Sequence, residues 1–362
     1  MEPTDTQPNP PRLDLNPLKR IPLLKIQTHH PDPEPKLPVQ KSHTHPKPSP
    51  SEVSNNIEDG RVYFIGNATA VIEWQGIRLL TDPNFLHAGD HVHLGPGITA
   101  ERLKDPFINM DQLPPLDCIL LSHYHEDHFD KLVEGSINRA FPIITTPHAK
   151  RALESKDEPF TAVHALDVFE CLLLVPTDRP PSSSSKPIPI IKITGTPGKH
   201  VPPGPLSTIN NILGAVPPTN GWLLEMGYTS QSPPSNPEPD KVLYRIYISG
   251  DTLFVDELTQ IRERLQNEKI DLMLVHLGGT TIPGPHAPLF MVTMDAKQGV
   301  KLMQLMDAEV TIPVHFDDYS VMMSGLDEFR REVEAGGLGE RVAYLGRGDE
   351  YRFWGRNLEK EL

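Results

Sequence analysis

The sequence has only two cysteines, Cys118 and Cys171, among its 362 residues. Both lie inside apolar, strand-like runs, where a free cysteine behaves as a small buried hydrophobe. We therefore expect no disulfide bond. This cysteine usage fits a reducing compartment such as the cytoplasm.

Long apolar runs are also missing. No stretch of about 18 consecutive apolar residues occurs, which is the length that a membrane-spanning helix needs. Near the N-terminus, no charged segment is followed by an apolar one, as a secretory signal requires. The sequence therefore predicts a soluble cytoplasmic protein with no transmembrane segment.

Clusters of basic residues are absent as well, and the formal net charge is −14. Enzymes that process nucleic acids neutralise phosphates with tracks of Lys and Arg. We therefore predict a small-molecule substrate rather than a nucleic acid. The amino-acid sequence predicts no particular oligomeric state.

Residues 1–59 have no aromatic side chain and carry about a dozen of the 40 prolines. Such a segment buries too little apolar surface to offset its ordering entropy. We therefore expect a disordered, Pro-rich arm over residues 1–59 and one folded domain over residues 60–362. Within that domain, the low-complexity stretches 180–187 and 230–237 are typical of surface-loop insertions.

The most informative segment has the sequence LSHYHEDH and occupies residues 121–128. It follows a short apolar run, which is typical of a buried strand that ends in a loop. Side chains two positions apart on an extended segment point the same way, so His123 and His125 can converge on one ion. Asp127 and His128 can face a second ion about 3.5 to 4 Å away.

Imidazole and carboxylate ligands of this kind suit Zn²⁺ best, and they are also compatible with Fe or Mn. The alternative is a His-rich surface loop without a metal. We favour the metal site because the loop follows a buried strand and carries an acid at the spacing that a second ion needs.

The pattern His-x-His-x-Asp-His resembles the signature of the metallo-β-lactamase superfamily, and the resemblance extends over roughly residues 61–355. Three later segments also follow apolar strand-like runs and match the family's order of a His, a bridging Asp and a last His. The resemblance implies that the first ion is held by His123, His125 and His200, and the second by Asp127, His128 and His315, with Asp251 between them.

The resemblance also implies an α/β fold, the four-layer αββα sandwich, with the ligands at one edge of it. Residues 66–69, 81–83 and 292–296 resemble most closely the branch of ascorbate-phosphate lactonases and phospholipase-D-type phosphodiesterases. In the last of these segments the spacing of apolar residues predicts a helix over residues 294–306, with Thr293 placed to cap it.

Several other polar residues compete for a place in the site. His148 and His164 are rivals to His200, and His276 and His286 are rivals to His315. We prefer His200 because it follows a strand and precedes Asp251 in the expected order. For the remaining candidates two roles stay open. His87, His91 and His93 either contact the substrate or lie in an exposed loop. Asp317, Asp318 and Tyr319 either support the ligands or lie in a solvated loop, and Asp82 either supports the ligands or belongs to a turn.

This set of groups predicts a hydrolase. Two divalent ions that share a bridging water lower its pKa from about 15.7 toward 7 and so generate hydroxide at neutral pH. Asp127 is the candidate catalytic residue, because its carboxylate can orient that hydroxide and accept its proton.

The leading hypothesis is a dinuclear zinc-dependent hydrolase that cleaves a small-molecule ester, lactone or amide bond. One alternative is a phosphodiesterase of lipid or nucleotide type, for which Lys199 and Arg347 are the candidate phosphate-binding cations. A second alternative is a non-catalytic metal-binding scaffold.

Overall fold

The structure of the chain is a computed structural model. It describes residues 11–26, 34–44, 60–95, 97–177, 187–202, 204, 210, 216–230, 239–266, 268–282 and 290–356. Of the predicted loop insertions at residues 180–187 and 230–237, residues 180–186 and 231–237 lie outside the described residues.

The described strands and helices follow each other along the chain in an α/β arrangement. The strands are β1 (Arg12–Leu15), β2 (Ser42–Thr44), β3 (Gly60–Gly66), β4 (Thr69–Trp74), β5 (Ile77–Thr81), β6 (His91–Gly95), β7 (Ile98–Glu101), β8 (Cys118–Leu120), β9 (Ile143–Thr145), β10 (Val163–Ala165), β11 (Cys171–Pro176), β12 (Ile188–Thr196), β13 (Gly221–Thr229), β14 (Lys241–Ile248), β15 (Leu272–His276), β16 (Thr281–Ile282), β17 (Phe290–Met291), β18 (Val310–Val314) and β19 (Glu350–Phe353). The α-helices are α1 (Lys131–Ser136), α2 (Pro147–Glu154), α3 (Thr259–Leu265), α4 (Ala296–Met306) and α5 (Leu326–Ala335).

Two large mixed sheets make up the centre of the molecule. The first has the strand order β10-β9-β8-β5-β4-β3-β19-β2, and the second has the order β1-β11-β12-β13-β14-β15-β18. Side chains from both sheets form one apolar core, in which Trp74 of the first sheet and Trp222 of the second are almost fully buried. The two sheets therefore pack face to face.

Helices cover the outer faces of both sheets. Val133 of α1 and Leu153 of α2 are buried in one cluster with Ile119 of the first sheet. Met303 of α4 and Phe329 of α5 are buried in another cluster with side chains of the second sheet. This order of helix, sheet, sheet, helix confirms the predicted four-layer αββα sandwich.

Helix α4 begins two residues later than the sequence predicted. Asp295 is the N-cap, and its side chain accepts a hydrogen bond from the Gln298 amide. The hydroxyl of Thr293, the predicted cap, instead donates to Asp251 Oδ2 over 3.2 Å. The predicted cap is therefore wrong because Thr293 contacts a residue from another strand end.

Strand direction explains why the polar segments meet. Strands β12, β13 and β14 are successively antiparallel, so β12 and β14 run the same way. Strands β14, β15 and β18 are parallel to one another. The carboxyl ends of β12, β14, β15 and β18 consequently lie at one edge of the second sheet.

The N-terminal arm is partly folded onto the domain. Strand β1 pairs in parallel with β11, and β2 pairs in parallel with β19. Leu23 and Leu37 are buried, and Arg20 Nε donates to Asp117 Oδ1 over 2.8 Å.

The expectation of disorder over residues 1–59 is therefore wrong for residues 11–26 and 34–44, while residues 1–10, 27–33 and 45–59 lie outside the described residues. The prediction counted only the apolar surface that the arm itself supplies. Strands added to existing sheet edges need no core of their own, because the domain provides both the hydrogen-bond partners and the apolar contacts.

Cys118 and Cys171 are not joined by a disulfide bond. None of the helices in the described ranges has the length and apolar character needed to cross a bilayer.

We predict that Leu23→Ala lowers the free energy of unfolding by about 2 to 4 kcal/mol, because it leaves a cavity under a docked segment. The matched control is Ile26→Ala, since Ile26 lies three residues further on with 93% of its surface exposed. This control should change the unfolding free energy by less than about 0.5 kcal/mol. Equal, negligible effects of both substitutions in urea titrations would show that the arm is not docked.

Candidate metal centre

The loop that follows β8 is held in place through its backbone. Asn67 Nδ2 donates to the Asp127 carbonyl over 2.6 Å, and Asn84 Nδ2 donates to the same oxygen over 3.0 Å. Asp130 caps α1 by accepting from the Val133 amide. Because these contacts fix the main chain, the direction of the side chains between residues 123 and 128 is fixed as well.

The structure brings all seven predicted residues to this edge of the sandwich. Two groups form there, and within each group the nitrogen and oxygen atoms available for ligation lie within 4.8 Å of one another. The first group is His123, His125 and His200, and the second is Asp127, His128, Asp251 and His315.

Several atoms of this cluster are buried without a hydrogen bond to any described residue. They include His123 Nε2, His125 Nε2, His315 Nε2 and Asp251 Oδ1. Buried polar groups are ordinarily paired, and an unpaired one is costly. A cation bound between these atoms would satisfy them, so the residues present fit a metal site.

The opposite nitrogens of three imidazoles are occupied. His200 Nδ1 donates to the Val292 carbonyl over 2.5 Å, and His315 Nδ1 donates to the Leu277 carbonyl over 3.0 Å. His123 Nδ1 lies 2.9 Å from the Ser122 hydroxyl. Contacts of this kind fix the ring orientation and leave Nε2 free for a cation.

The electrostatic environment favours metal-binding protonation states in His123 and in two carboxylates. It does the opposite for His128 and His315: burial lowers the pKa values of these two imidazoles, but Asp251 and Asp127 outweigh burial and raise them. A bound cation would therefore displace a proton from each of these two imidazoles. Burial, together with His128 and His200, holds the pKa of His123 well below its usual range. Burial raises the pKa of Asp251, but the imidazoles of His315 and His128 outweigh it and hold that pKa well below its usual range. Burial also raises the pKa of Asp127, but the imidazoles of His125 and His128 outweigh this effect and hold that pKa well below its usual range. His123 is therefore neutral and both carboxylates are ionised, as metal ligation requires.

Asp82 supports the cluster from behind. Its Oδ1 accepts from the Ser122 amide over 2.7 Å, and its Oδ2 lies 3.5 Å from His128 Nδ1 and 3.7 Å from His276 Nε2. The residue has a positive φ of 32°. Such strain in a residue other than glycine is typical of functional sites.

The histidines that were considered as alternatives to His200 and His315 lie in different parts of the structure. His276 is buried and forms a third group with Asp82 and His128, in which the polar atoms lie within 4.8 Å of one another. His148 and His164 belong to none of the groups found among the described residues. His286 lies outside the described residues, and His87, His91 and His93 are exposed.

Arg102 was not among the predicted site residues, yet its side chain is fully buried beside the loop. Arg102 Nη2 lies 2.9 Å from Asp318 Oδ1, and Nη1 donates to Asn84 Oδ1 over 2.7 Å. Asn84 in turn holds the Asp127 carbonyl, and it also donates to the Tyr319 hydroxyl over 2.6 Å. Asp318 and Tyr319 therefore support the ligand loop through these contacts and do not lie in a solvated loop.

Comparison with known proteins gives a consistent result. A family model described as a beta-lactamase superfamily domain matches residues 77–316. A UPF0173 metal-dependent hydrolase from Salinibacter ruber is 22% identical over 283 residues, which cover 78% of this chain and 96% of that protein. A similarly named protein from Nanoarchaeum equitans is 22% identical over 239 residues, which cover 65% of this chain and 84% of that protein.

Solved structures share the fold. An isothiocyanate hydrolase from Delia radicum gut bacteria superimposes with a TM-score of 0.60 at 16% identity, covering 80% of this chain and 98% of that one. A protein described as "a possible metal-dependent hydrolase" from Veillonella parvula gives a TM-score of 0.59 at 17% identity, covering 81% and 99%.

We predict that Arg102→Met lowers the free energy of unfolding by about 3 to 5 kcal/mol, because it leaves the buried Asp318 carboxylate without this partner. Lys104→Met is the matched control. Lys104 is about half exposed and pairs with Asp317 at the surface, so its loss should cost less than about 1 kcal/mol. Thermal and chemical unfolding of both variants would measure the difference, and similar losses would contradict the importance of the buried pair.

Proposed function

Because the chain belongs to the metallo-β-lactamase superfamily of metal-dependent hydrolases, we propose that it is a dinuclear zinc enzyme that cleaves an ester, lactone or amide bond of a small molecule. The observation that carries this proposal is the convergence of buried, unpaired imidazole nitrogens and carboxylate oxygens in two adjacent groups.

Each group supplies the ligands for one ion. His123, His125 and His200 would hold the first ion, because three imidazoles are a ligand set that suits Zn²⁺. The other group would hold the second ion. Asp251 adjoins both groups, since its Oδ2 lies 3.2 Å from His128 Nε2 and 3.9 Å from His200 Nε2.

When bound, a pair of divalent ions supplies a water of lowered pKa and polarises the oxygen of the scissile bond. The chain supplies the positioning and the proton transfer. Asp127 is ionised and lies beside His125, with 2.7 Å between Asp127 Oδ1 and His125 Nδ1. Its carboxylate orients the attacking water and accepts the proton that the water gives up.

The surrounding charges favour an uncharged scissile group over a phosphodiester. Arg347 Nη2 lies 3.0 Å from Asp317 Oδ1 and 2.8 Å from Asp318 Oδ1, and Lys199 Nζ contacts the Glu257 carboxylate. Both candidate phosphate-binding cations are therefore already paired. The complete ligand set argues against a scaffold that has lost activity.

We predict that the purified protein binds two zinc ions per chain and that His125→Ala releases at least one of them. His148→Ala is the control, since this half-buried histidine lies outside the ligand groups. Metal analysis after dialysis gives the stoichiometry for each variant. Full retention of both ions by His125→Ala would contradict the ligand assignment.

We also predict turnover of aryl esters, lactones or anilides by the zinc-loaded protein, with a lower kcat/KM for bis(p-nitrophenyl) phosphate. An aryl isothiocyanate belongs in the panel as another uncharged electrophile. Chelated protein and His125→Ala should lose the activity. Preferential cleavage of the phosphodiester would favour the phosphodiesterase alternative, and zinc binding without any turnover would favour the scaffold.

A further inference from the structure

The cavity beside the ligand groups has apolar walls. His125, Asp127, His200 and Asp251 line it from the metal side. The other lining residues are Leu94, Ile98, Val216, Thr280, Thr281, Val292, Thr293 and Val321.

These apolar side chains are held in place by packing. Leu94 of β6 and Val321, which follows β18, are buried in one cluster with Val92, and Ile98 of β7 packs against that cluster. Val292 is 3% exposed, and its carbonyl accepts the hydrogen bond from His200. The wall and the ligand orientation are therefore parts of one assembly.

The chain segments that supply this wall carry no fixed charge. Within the described residues, the ranges 91–95, 97–100, 216–224, 276–282, 290–294 and 319–326 contain no Asp, Glu, Lys or Arg. A charged substrate group beside the ions would therefore find no opposite charge on these segments. Burying an unpaired charge in apolar surroundings is strongly unfavourable.

Three threonines line this cavity, and two of their hydroxyls have partners: Thr293 donates to Asp251 Oδ2 and Thr281 donates to Met323 Sδ. Thr280 is 7% exposed, and its hydroxyl makes no hydrogen bond with any described residue. A buried hydroxyl ordinarily has a partner. A substrate heteroatom that accepts or donates a single hydrogen bond would supply one.

We propose that the substrate group bound beside the ions is uncharged, compact and apolar, and that Thr280 Oγ1 forms one neutral hydrogen bond to it. The inference rests on the proposed hydrolase function and defines its substrate class as small neutral esters, lactones or amides with an aliphatic substituent. Substrates that carry a carboxylate, a phosphate or an ammonium group next to the scissile bond are excluded.

The test uses binding, so that it does not depend on turnover. Butanoic hydroxamic acid is a zinc-binding probe with an apolar tail. Two analogues replace its terminal methyl with a carboxylate (succinic monohydroxamic acid) or with an ammonium (3-aminopropanoic hydroxamic acid). Calorimetric titration of the zinc-loaded full chain gives the Kd of all three.

We expect the methyl-terminated probe to bind about 100-fold more tightly than either charged analogue, because only those analogues bury an unpaired charge. Thr280→Val should leave this preference intact and should raise KM for the best neutral substrate about fivefold to tenfold, as expected for the loss of one neutral hydrogen bond. Equal affinities, tighter binding of a charged analogue, or no binding of any probe would overturn the proposal.

A charge-introducing variant tests the wall directly. Ile98→Lys places a cation at a partly exposed position of the cavity, and should strengthen binding of the carboxylate analogue about tenfold while weakening that of the methyl-terminated probe. Leu18→Lys is the control, because Leu18 is 64% exposed and lies outside the cavity lining. An unchanged preference in folded Ile98→Lys would contradict the assignment of Ile98 to the wall.

Loss of the proposed hydrolase function would have a different signature. In that case the substrate panel would show no turnover even where the methyl-terminated probe binds more tightly than its charged analogues. A reversed preference among the three probes, with esters still cleaved, would overturn only the substrate class.

Discussion

The arrangement of this molecule depends on how buried imidazoles and carboxylates satisfy one another. His123, His128 and His315 are almost completely buried, as are Asp82 and Asp251. Groups of this kind are costly to bury singly. Their clustering at one edge allows the carboxylates to remain ionised beside the imidazoles, and a bound cation would satisfy the nitrogens that the protein leaves without partners.

The two sheets make this clustering possible through strand direction. Because β12, β14 and β18 run the same way in the second sheet, their carboxyl ends deliver His200, Asp251 and His315 to one edge. Strand β8 of the first sheet delivers the loop with His123 and His125. The ligand set is therefore completed only when the two sheets pack together, and this links the stability of the core to the integrity of the site.

Sequence reasoning was most successful where the chemistry is local. The composition and spacing of residues 121–128 indicate a metal site. The strand-end positions of His200, Asp251 and His315 follow from the apolar runs that precede them. The four-layer fold was predictable from the resemblance to a known family. The ligand segments and the fold could be predicted from the spacing of apolar residues and from the resemblance to a known family.

The supporting contacts were not predictable in the same way, because they join residues far apart in the chain. Arg102 contacts Asp318 across more than two hundred positions, and nothing in the residues around Arg102 distinguishes it from a surface arginine. The docking of residues 11–26 was missed for a related reason. A proline-rich segment has no core of its own, and only the finished sheet edge offers it hydrogen bonds.

Arg102 also bears on the apolar wall, because it connects the wall to the ligand loop. Its guanidinium lies 5.1 Å from the centre of the Tyr319 ring, and Tyr319 packs with Leu94 and Val321. The same guanidinium holds Asn84, which holds the Asp127 carbonyl. The buried charges of Arg102 and Asp318 are thus paired with each other behind the wall. An enzyme that bound an anionic substrate here would need a free cation. Because Arg102 is paired within the fold, a neutral substrate is the better match.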